Sequence, residues 1–137
     1  GNKSPYWVEI PIVILSWGSL MLSEVDEPSL DQLSPEKLSL IESSFSKEFK
    51  DNIMEVTAYK CSTCHVMEPS WEGMKKPPKG VYLSEFSHLI NNYETIYKQV
   101  AASRAMPPGN ITFLEDEERL LYANLFHKIE EILREEK

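Results

Sequence analysis

The sequence predicts an all-α domain that follows an apolar extension. Apolar residues recur at helical spacing in two separate segments of the chain, around residues 45–56 and 121–133. No segment predicts a convincing sheet, and no internal repeat is present. The chain has 137 residues, of which 42% are hydrophobic and 26% are charged. This length and composition suit one globular domain with an additional segment.

Residues 1–33 are expected to form the extension and a linker. Residues 10–22 are the most apolar stretch, but they contain Pro11 and Gly18 and fall short of the roughly 20 residues that a membrane-spanning helix needs. The basic flank and small-residue cleavage pattern of a signal peptide are not seen. The acidic, serine-rich run around Pro28 predicts a linker. We expect the apolar segment to dock on the domain or on another protein, with a truncated membrane anchor as the alternative.

The domain is expected over residues 34–137. Ser34 is a good N-cap and Pro35 suits the first position of a helix. Helical spacing then predicts one apolar face formed by Phe45, Phe49, Ile53 and Val56.

The second half of the domain alternates between loop and helix. Residues 66–82 hold three prolines and two glycines, so they predict a loop. Helical patterns resume at 84–91 and 93–104. A final amphipathic helix opens with acidic residues, which suit the positive end of the helix dipole, and its apolar positions are Leu121, Leu125, Ile129, Ile132 and Leu133.

The only two cysteines of the chain lie in the run Cys61-Ser62-Thr63-Cys64-His65. This C-x-x-C-H spacing is typical of the attachment site of a c-type haem. Two thiols on one helical turn can each form a thioether to a haem vinyl group. The histidine directly after them can present an imidazole nitrogen to the iron from the same side. We therefore predict one covalent haem c, held by Cys61, Cys64 and His65.

Three other interpretations of these residues are less well supported. A thioredoxin-like redox pair needs a βαβ setting, which the surrounding sequence does not predict. A zinc site needs four ligands, and the remaining candidates, His88 and His127, have no recognisable spacing. A structural disulfide between Cys61 and Cys64 would leave His65 unexplained.

A six-coordinate haem iron needs a second axial ligand, for which Met106 is the first candidate. Two prolines and a glycine follow Met106, so the backbone holds it in a stiff segment. Such stiffness matters because thioether sulfur is a weak ligand. His88 is the main rival, and Met74 is a less constrained candidate. The remaining methionines are predicted to be too close to His65 or to fill the core: Met67, Met21 and Met54.

With these residues the chain resembles a class I cytochrome c domain. The run over residues 57–126 is similar to the haem domain at the C-terminus of bacterial membrane-bound urate oxidases. The likeness lies in Cys61-Ser62-Thr63-Cys64-His65, Gly80-Val81, Ile96-Tyr97, Ala105-Met106-Pro107-Pro108-Gly109-Asn110-Ile111-Thr112 and Glu115-Asp116-Glu117-Glu118-Arg119.

The resemblance implies a small all-helical fold around a covalent haem, with His65 as the proximal and Met106 as the distal ligand. It also implies that the first and last helices cross, so that Phe49 or Ile53 meets Leu121, Tyr122 or Leu125. The resemblance further implies a location in the periplasm, or otherwise outside the cytoplasm, where covalent haem attachment takes place. Urate chemistry is not expected to carry over, because the likeness covers only about half the chain.

These predictions favour an electron carrier rather than an enzyme. We expect single-electron, outer-sphere transfer by a subunit or docked partner of a larger redox complex, with redox proteins as partners. The complex is expected to be membrane-associated if the extension docks there. A haem enzyme or gas-binding sensor with a displaceable distal ligand is the alternative, and a structural module is a third class. The formal net charge of −8 argues against nucleic-acid binding.

Several residues near the motif are candidates for supporting roles. Lys75, Lys76 and Lys79 form a basic cluster that would steer an acidic partner or would simply be a solvated loop. A backbone carbonyl near Pro69 or Pro77 is expected to hold the His65 N–H. The candidates for hydrogen bonds to haem propionates are Arg104, Trp71 and Tyr82.

Overall fold

The computed structural model describes residues 33–136, and these residues form a helical domain. The helices are α1 (Pro35–Ser43), α2 (Lys47–Lys60), α3 (Phe86–Asn91), α4 (Tyr93–Ile96) and α5 (Asp116–Glu135). Helix α4 continues as a π-helical turn, Tyr97–Ala102, and short 3-10 turns occur at Pro78–Gly80 and Pro108–Asn110. No strand occurs between residues 33 and 136, so the predicted all-α class is confirmed there. The predictions for the apolar extension and for Met21 concern residues outside this range.

The predicted helix start at Ser34 is confirmed, but the apolar face that follows belongs to more than one element. The Ser34 hydroxyl accepts a hydrogen bond from the N–H of Lys37 at 3.4 Å, and Pro35 is the first helical residue. Phe45 then lies in the turn between α1 and α2, where it stacks on Phe49 with ring centroids 5.2 Å apart. The expectation of a single helix face from Phe45 to Val56 was therefore wrong at its start.

Serine side chains account for the break between α1 and α2. The hydroxyls of Ser43 and Ser44 donate to the carbonyl of Leu40 at 2.8 and 2.9 Å. The Ser46 hydroxyl accepts from the N–H of Phe49 at 3.2 Å and caps α2. Serines that bind the backbone in this way compete with helical hydrogen bonds, which ends one helix and starts the next.

Helix α5 is the central element of the core. It packs against α2, α4 and the π-helical turn, while α1 packs against α3. Ile53, Leu125 and Ile129 are each 0% exposed, and full burial of such a side chain contributes about 1.5–3 kcal/mol. Helix α2 contacts α5, since the hydroxyls of Thr57 and Tyr122 lie 3.0 Å apart. The expected contact of Phe49 or Ile53 with Leu121, Tyr122 or Leu125 stays a prediction.

The amino-terminal end of α5 is capped by its own side chains. The carboxylate of Glu118 accepts a hydrogen bond from the N–H of Glu115 at 2.7 Å, which satisfies one of the unpaired donors at a helix start. The predicted acidic opening of this helix is thus confirmed. Of the helices in the described range, none is both long and apolar enough to cross a membrane.

Two loops return to the carboxyl end of α2. The segment after the 3-10 turn Pro78–Gly80 is held by the N–H of Leu83, which donates to the carbonyl of His65 at 2.8 Å. On the other side, the Lys60 ammonium donates to the carbonyl of Phe113 at 3.0 Å, and the Thr112 hydroxyl donates to the carbonyl of Lys60, also at 3.0 Å. The end of α2 is therefore enclosed by loops from two parts of the chain.

Candidate cofactor site

The C-x-x-C-H run forms a turn at the carboxyl end of α2. The N–H of Cys61 donates to the carbonyl of Thr57 at 2.9 Å, as the helix ends. The N–H groups of Cys64 and His65 then both donate to the carbonyl of Cys61, at 3.2 and 3.0 Å. Both thiols are free and partly buried. The predicted placement of the two cysteines and the histidine on one helical turn is observed.

A single backbone contact orients the His65 ring. His65 Nδ1 lies 2.9 Å from the carbonyl oxygen of Val81. Because a carbonyl oxygen can only accept, Nδ1 donates in this contact, and in the neutral imidazole the lone pair then lies on Nε2. Ligating histidines are usually fixed in this way through the other ring nitrogen. The expected carbonyl does come from the loop after His65, but it is that of Val81 rather than one near Pro69 or Pro77.

Met106 lies in a segment held at several points. Its N–H donates to the carbonyl of Gln99 at 3.0 Å, and its carbonyl accepts from Arg119 Nη1 at 2.9 Å. Gly109, three residues further on, has a φ of 59°, a left-handed conformation that glycine adopts readily. The following turn is closed by Asn110, whose side-chain oxygen accepts from the N–H of Leu114 at 2.9 Å. The hydrogen bonds of Met106 and Asn110 therefore account for the predicted stiffness of this segment.

The cysteine turn and the methionine segment line one cavity of about 340 Å³. This volume is in the range of about 300–1,000 Å³ that is typical of small-molecule and cofactor sites. Much of the lining is apolar, with Trp71, Val100, Ile111 and Leu114 among the side chains that share it with Cys61, Cys64, His65 and Met106. Two sulfur anchors, one imidazole, one thioether and apolar walls are the donor set and surroundings that suit a covalently attached haem.

The comparisons with known proteins give no relatives. No family model, no curated protein and no solved structure matches this chain. The resemblance to class I cytochromes c therefore depends only on the sequence motifs of this chain and stays a prediction.

The other ligand candidates lie in different surroundings. Met74 lines the cavity as well, so it shares the site with Met106. His88, on α3, is not among the described residues that line the cavity. His127, on α5, packs edge-on against Tyr97 and Phe126. Met67 is 75% exposed, whereas Met54 packs against the core as expected.

The candidates for propionate contacts are divided in the same way. Trp71 lines the cavity, while Tyr82 and Arg104 are not among its described lining residues. Arg104 instead forms an ion pair with Asp116, with Nη2 and Oδ1 2.9 Å apart. Lys75, Lys76 and Lys79 are exposed and flank Met74 and Pro78, both of which line the cavity.

The Cys61 thiol lies beside a buried pair of hydroxyls. Its sulfur is 3.9 Å from the Tyr122 hydroxyl, which in turn contacts Thr57. Burial, with smaller contributions from Cys64 and Glu118, raises the pKa of the Cys61 thiol to about 11 against the lowering effect of its contact with the Tyr122 hydroxyl. Burial likewise raises the pKa of Tyr122. Both groups are therefore neutral at physiological pH when no haem is attached.

The alternative interpretations of the motif find no support in the residues that the structure describes. No group of three or more His, Cys, Asp or Glu there is arranged to hold a metal ion, as a zinc site requires. The absence of strands over the same range removes the βαβ setting of a thioredoxin-like pair.

Sequence reasoning missed the side chain that ties the methionine segment to α5. Arg119 is only 6% exposed, and its guanidinium contacts the carbonyl of Met106. One signal was available: Arg119 is the only basic residue in the acidic opening of the last helix, and it lies three positions before the buried Tyr122 on the same helix face.

Proposed function

We propose that this chain is a monohaem c-type cytochrome that carries single electrons by outer-sphere transfer. The domain is proposed to have the class I cytochrome c fold, and the chain to work as a subunit or docked partner of a larger redox complex. One observation carries the proposal: the C-x-x-C-H turn and the Met106 segment line the same largely apolar cavity, although Met106 follows His65 by 41 positions in the sequence.

The residues of the cavity would divide the binding between them. Cys61 and Cys64 would hold the porphyrin through their sulfur atoms, His65 Nε2 would bind the iron, and the Met106 thioether would supply the second axial ligand. A haem bound there supplies an iron that takes up and releases one electron at a time. All four protein groups belong to segments fixed by hydrogen bonds, so little reorganisation of the chain need accompany the electron.

The surroundings of the site favour the reduced state. The apolar walls exclude water and disfavour the extra positive charge of ferric iron, and ligation by methionine and histidine acts in the same direction. Both effects raise the reduction potential relative to an exposed haem with two nitrogen ligands. Axial ligation alone moves haem potentials over about 0.8 V across proteins.

Exposed lysines beside the cavity suit a contact with an acidic redox partner. Lys75, Lys76 and Lys79 give a local positive charge in a chain whose formal net charge is −8. Complementary charges of this kind increase the rate of encounter at low ionic strength. We propose a location in the periplasm or otherwise outside the cytoplasm, as the resemblance implies.

Carbon monoxide distinguishes an electron carrier from a haem enzyme or gas sensor. The full chain would be produced with a c-type haem maturation system, reduced, and mixed with carbon monoxide. A carrier with a fixed Met106 should show a reversible one-electron redox titration and slow, weak carbon monoxide binding. Rapid and tight binding by the wild-type protein would instead favour the gas-binding alternative. Met106→Ala, which opens the site, is the matched positive control for binding.

A further inference from the structure

Arg119 is a buried cation that forms no ion pair with a carboxylate among the residues that the structure describes. It is 6% exposed. Burying an unpaired charge is costly unless strong hydrogen bonds replace its hydration. The side chain therefore needs acceptors, and those acceptors indicate what it does.

The acceptors of Arg119 belong to the π-helical turn and to the methionine segment. Nη1 donates to the carbonyl of Val100 at 2.6 Å and to the carbonyl of Met106 at 2.9 Å. Nη2 donates to the side-chain oxygen of Asn110 at 3.1 Å. One planar guanidinium thus joins the π-helical turn before the methionine loop, the methionine itself and the turn after it.

Each of these contacts is linked to the wall of the cavity. Val100 and Met106 line it directly, and Asn110 holds Leu114, a third lining residue, by hydrogen bonds of 2.9 and 3.2 Å. Val100 lies in the π-helical turn Tyr97–Ala102, and such turns are frequent at functional sites. Carbonyl groups near the end of a helix lack intrahelical donors, and Arg119 supplies one for Val100.

We propose that Arg119 is the positioning residue for the Met106 thioether. The guanidinium holds the carbonyls of Val100 and Met106 and the side chain of Asn110, so that the Met106 side chain is presented to the cavity before any ligand binds. This inference rests on the proposed function, because it takes Met106 as the distal iron ligand. Arginine suits the role better than lysine, since its rigid fork reaches several acceptors at once and its charge persists when buried.

The experiment compares three variants of the full, haem-loaded chain. Arg119→Met removes the hydrogen bonds and the charge, while Arg119→Lys keeps the charge without the fork. Arg134→Met is the matched control, because Arg134 lies on the exposed part of the last turn of the same helix. The readouts are the rate of carbon monoxide binding to reduced protein and the charge-transfer absorption of methionine-ligated ferric haem. Thermal unfolding is measured in parallel.

The variants should differ according to how many of the three guanidinium hydrogen bonds each one removes. In Arg119→Met, carbon monoxide should bind at least about tenfold faster. The reason is that a charge-assisted hydrogen bond that favours the state with Met106 bound to the iron is removed. The methionine absorption should weaken at the same time. Arg119→Lys should be intermediate, and Arg134→Met should match the wild type. If Arg119→Met does not fold, the lysine variant decides, by a faster binding rate than the wild type.

One result would overturn the inference while leaving the proposed function intact. It is an Arg119→Met or Arg119→Lys protein with attached haem, unchanged methionine absorption and unchanged carbon monoxide binding. Lower thermal stability alongside these unchanged readouts would assign Arg119 a structural role only. By contrast, a wild-type protein without haem would contradict the proposed function itself. A Met106→Ala protein that keeps the methionine absorption would contradict it as well.

Discussion

Replacing Thr57 by valine should destabilise the domain more than replacing Tyr122 by phenylalanine, although the two side chains share one hydrogen bond. The Thr57 hydroxyl donates to the carbonyl of Ile53 at 2.7 Å. Its only proton is then used, so the 3.0 Å contact between the two hydroxyls has Tyr122 as the donor. Both side chains are buried, at 0% and 1% exposure, so neither can exchange its partner for water.

The two substitutions leave different groups without partners. In Tyr122→Phe, Thr57 keeps its own bond to Ile53, so the loss is one net hydrogen bond of about 1 kcal/mol. In Thr57→Val, the buried Tyr122 O–H retains only the Cys61 sulfur, 3.9 Å away, and an unsatisfied buried donor costs about 1–3 kcal/mol. For a domain of this size, 1 kcal/mol corresponds to a change in Tm of about 4–8 °C.

Thermal unfolding of the haem-loaded full chain, followed by circular dichroism, measures both effects. The double variant should lose less stability than the sum of the single variants, because removal of both hydroxyls leaves no unsatisfied donor. Tyr59→Phe is the matched control, since Tyr59 is 74% exposed and should unfold like the wild type. Equal losses in the two single variants, or a larger loss in Tyr122→Phe, would refute the assignment of Tyr122 as the donor.

Three further predictions concern the ligand, the thiol and the core. Met106→Ala should keep its haem but become high-spin or water-ligated with a lowered potential; an unchanged spectrum and potential would show that another side chain is the ligand. In the haem-free chain, alkylation of Cys61 by iodoacetamide should rise with pH up to about 11, because burial raises the pKa of this thiol from 9.0. An inflection near pH 9 in the alkylation of Cys61 in the folded chain would contradict this expectation. Leu125→Ala, at a site with 0% exposure, should cost about 2–5 kcal/mol of unfolding free energy in denaturant titrations. The exposed Leu120→Ala should cost less than about 0.5 kcal/mol, and similar losses at both positions would argue against a core around Leu125.

Helix α5 illustrates what the sequence pattern could predict. Its apolar positions keep helical spacing over about four turns, and acidic residues precede them. Apolar periodicity of this length indicates a helix and disfavours a strand or a loop. The break at residues 44–46 was not predicted, because Phe45 continues the apolar spacing across it. Hydrogen bonds from the serine hydroxyls to nearby backbone groups decide this boundary, and apolar periodicity does not report them.

The candidate site was predictable where its residues are contiguous in sequence. Cys61, Cys64 and His65 form one turn, so their spacing alone indicates the chemistry. The contacts that orient the ligands come from elsewhere: Val81 holds the His65 ring and Arg119 holds Met106. These contacts depend on how the loops return to α2 and α5, and a side-chain pattern along the chain does not encode them directly.

The most direct test of a covalent haem is the intact mass of the purified chain, measured with its absorption spectrum in the reduced state. Expression with a c-type haem maturation system should give a mass increased by one haem that survives denaturation, together with a low-spin spectrum. The Cys61→Ala, Cys64→Ala variant should lack this increase. A colourless wild-type protein with two unmodified thiols after such maturation would contradict the proposed function.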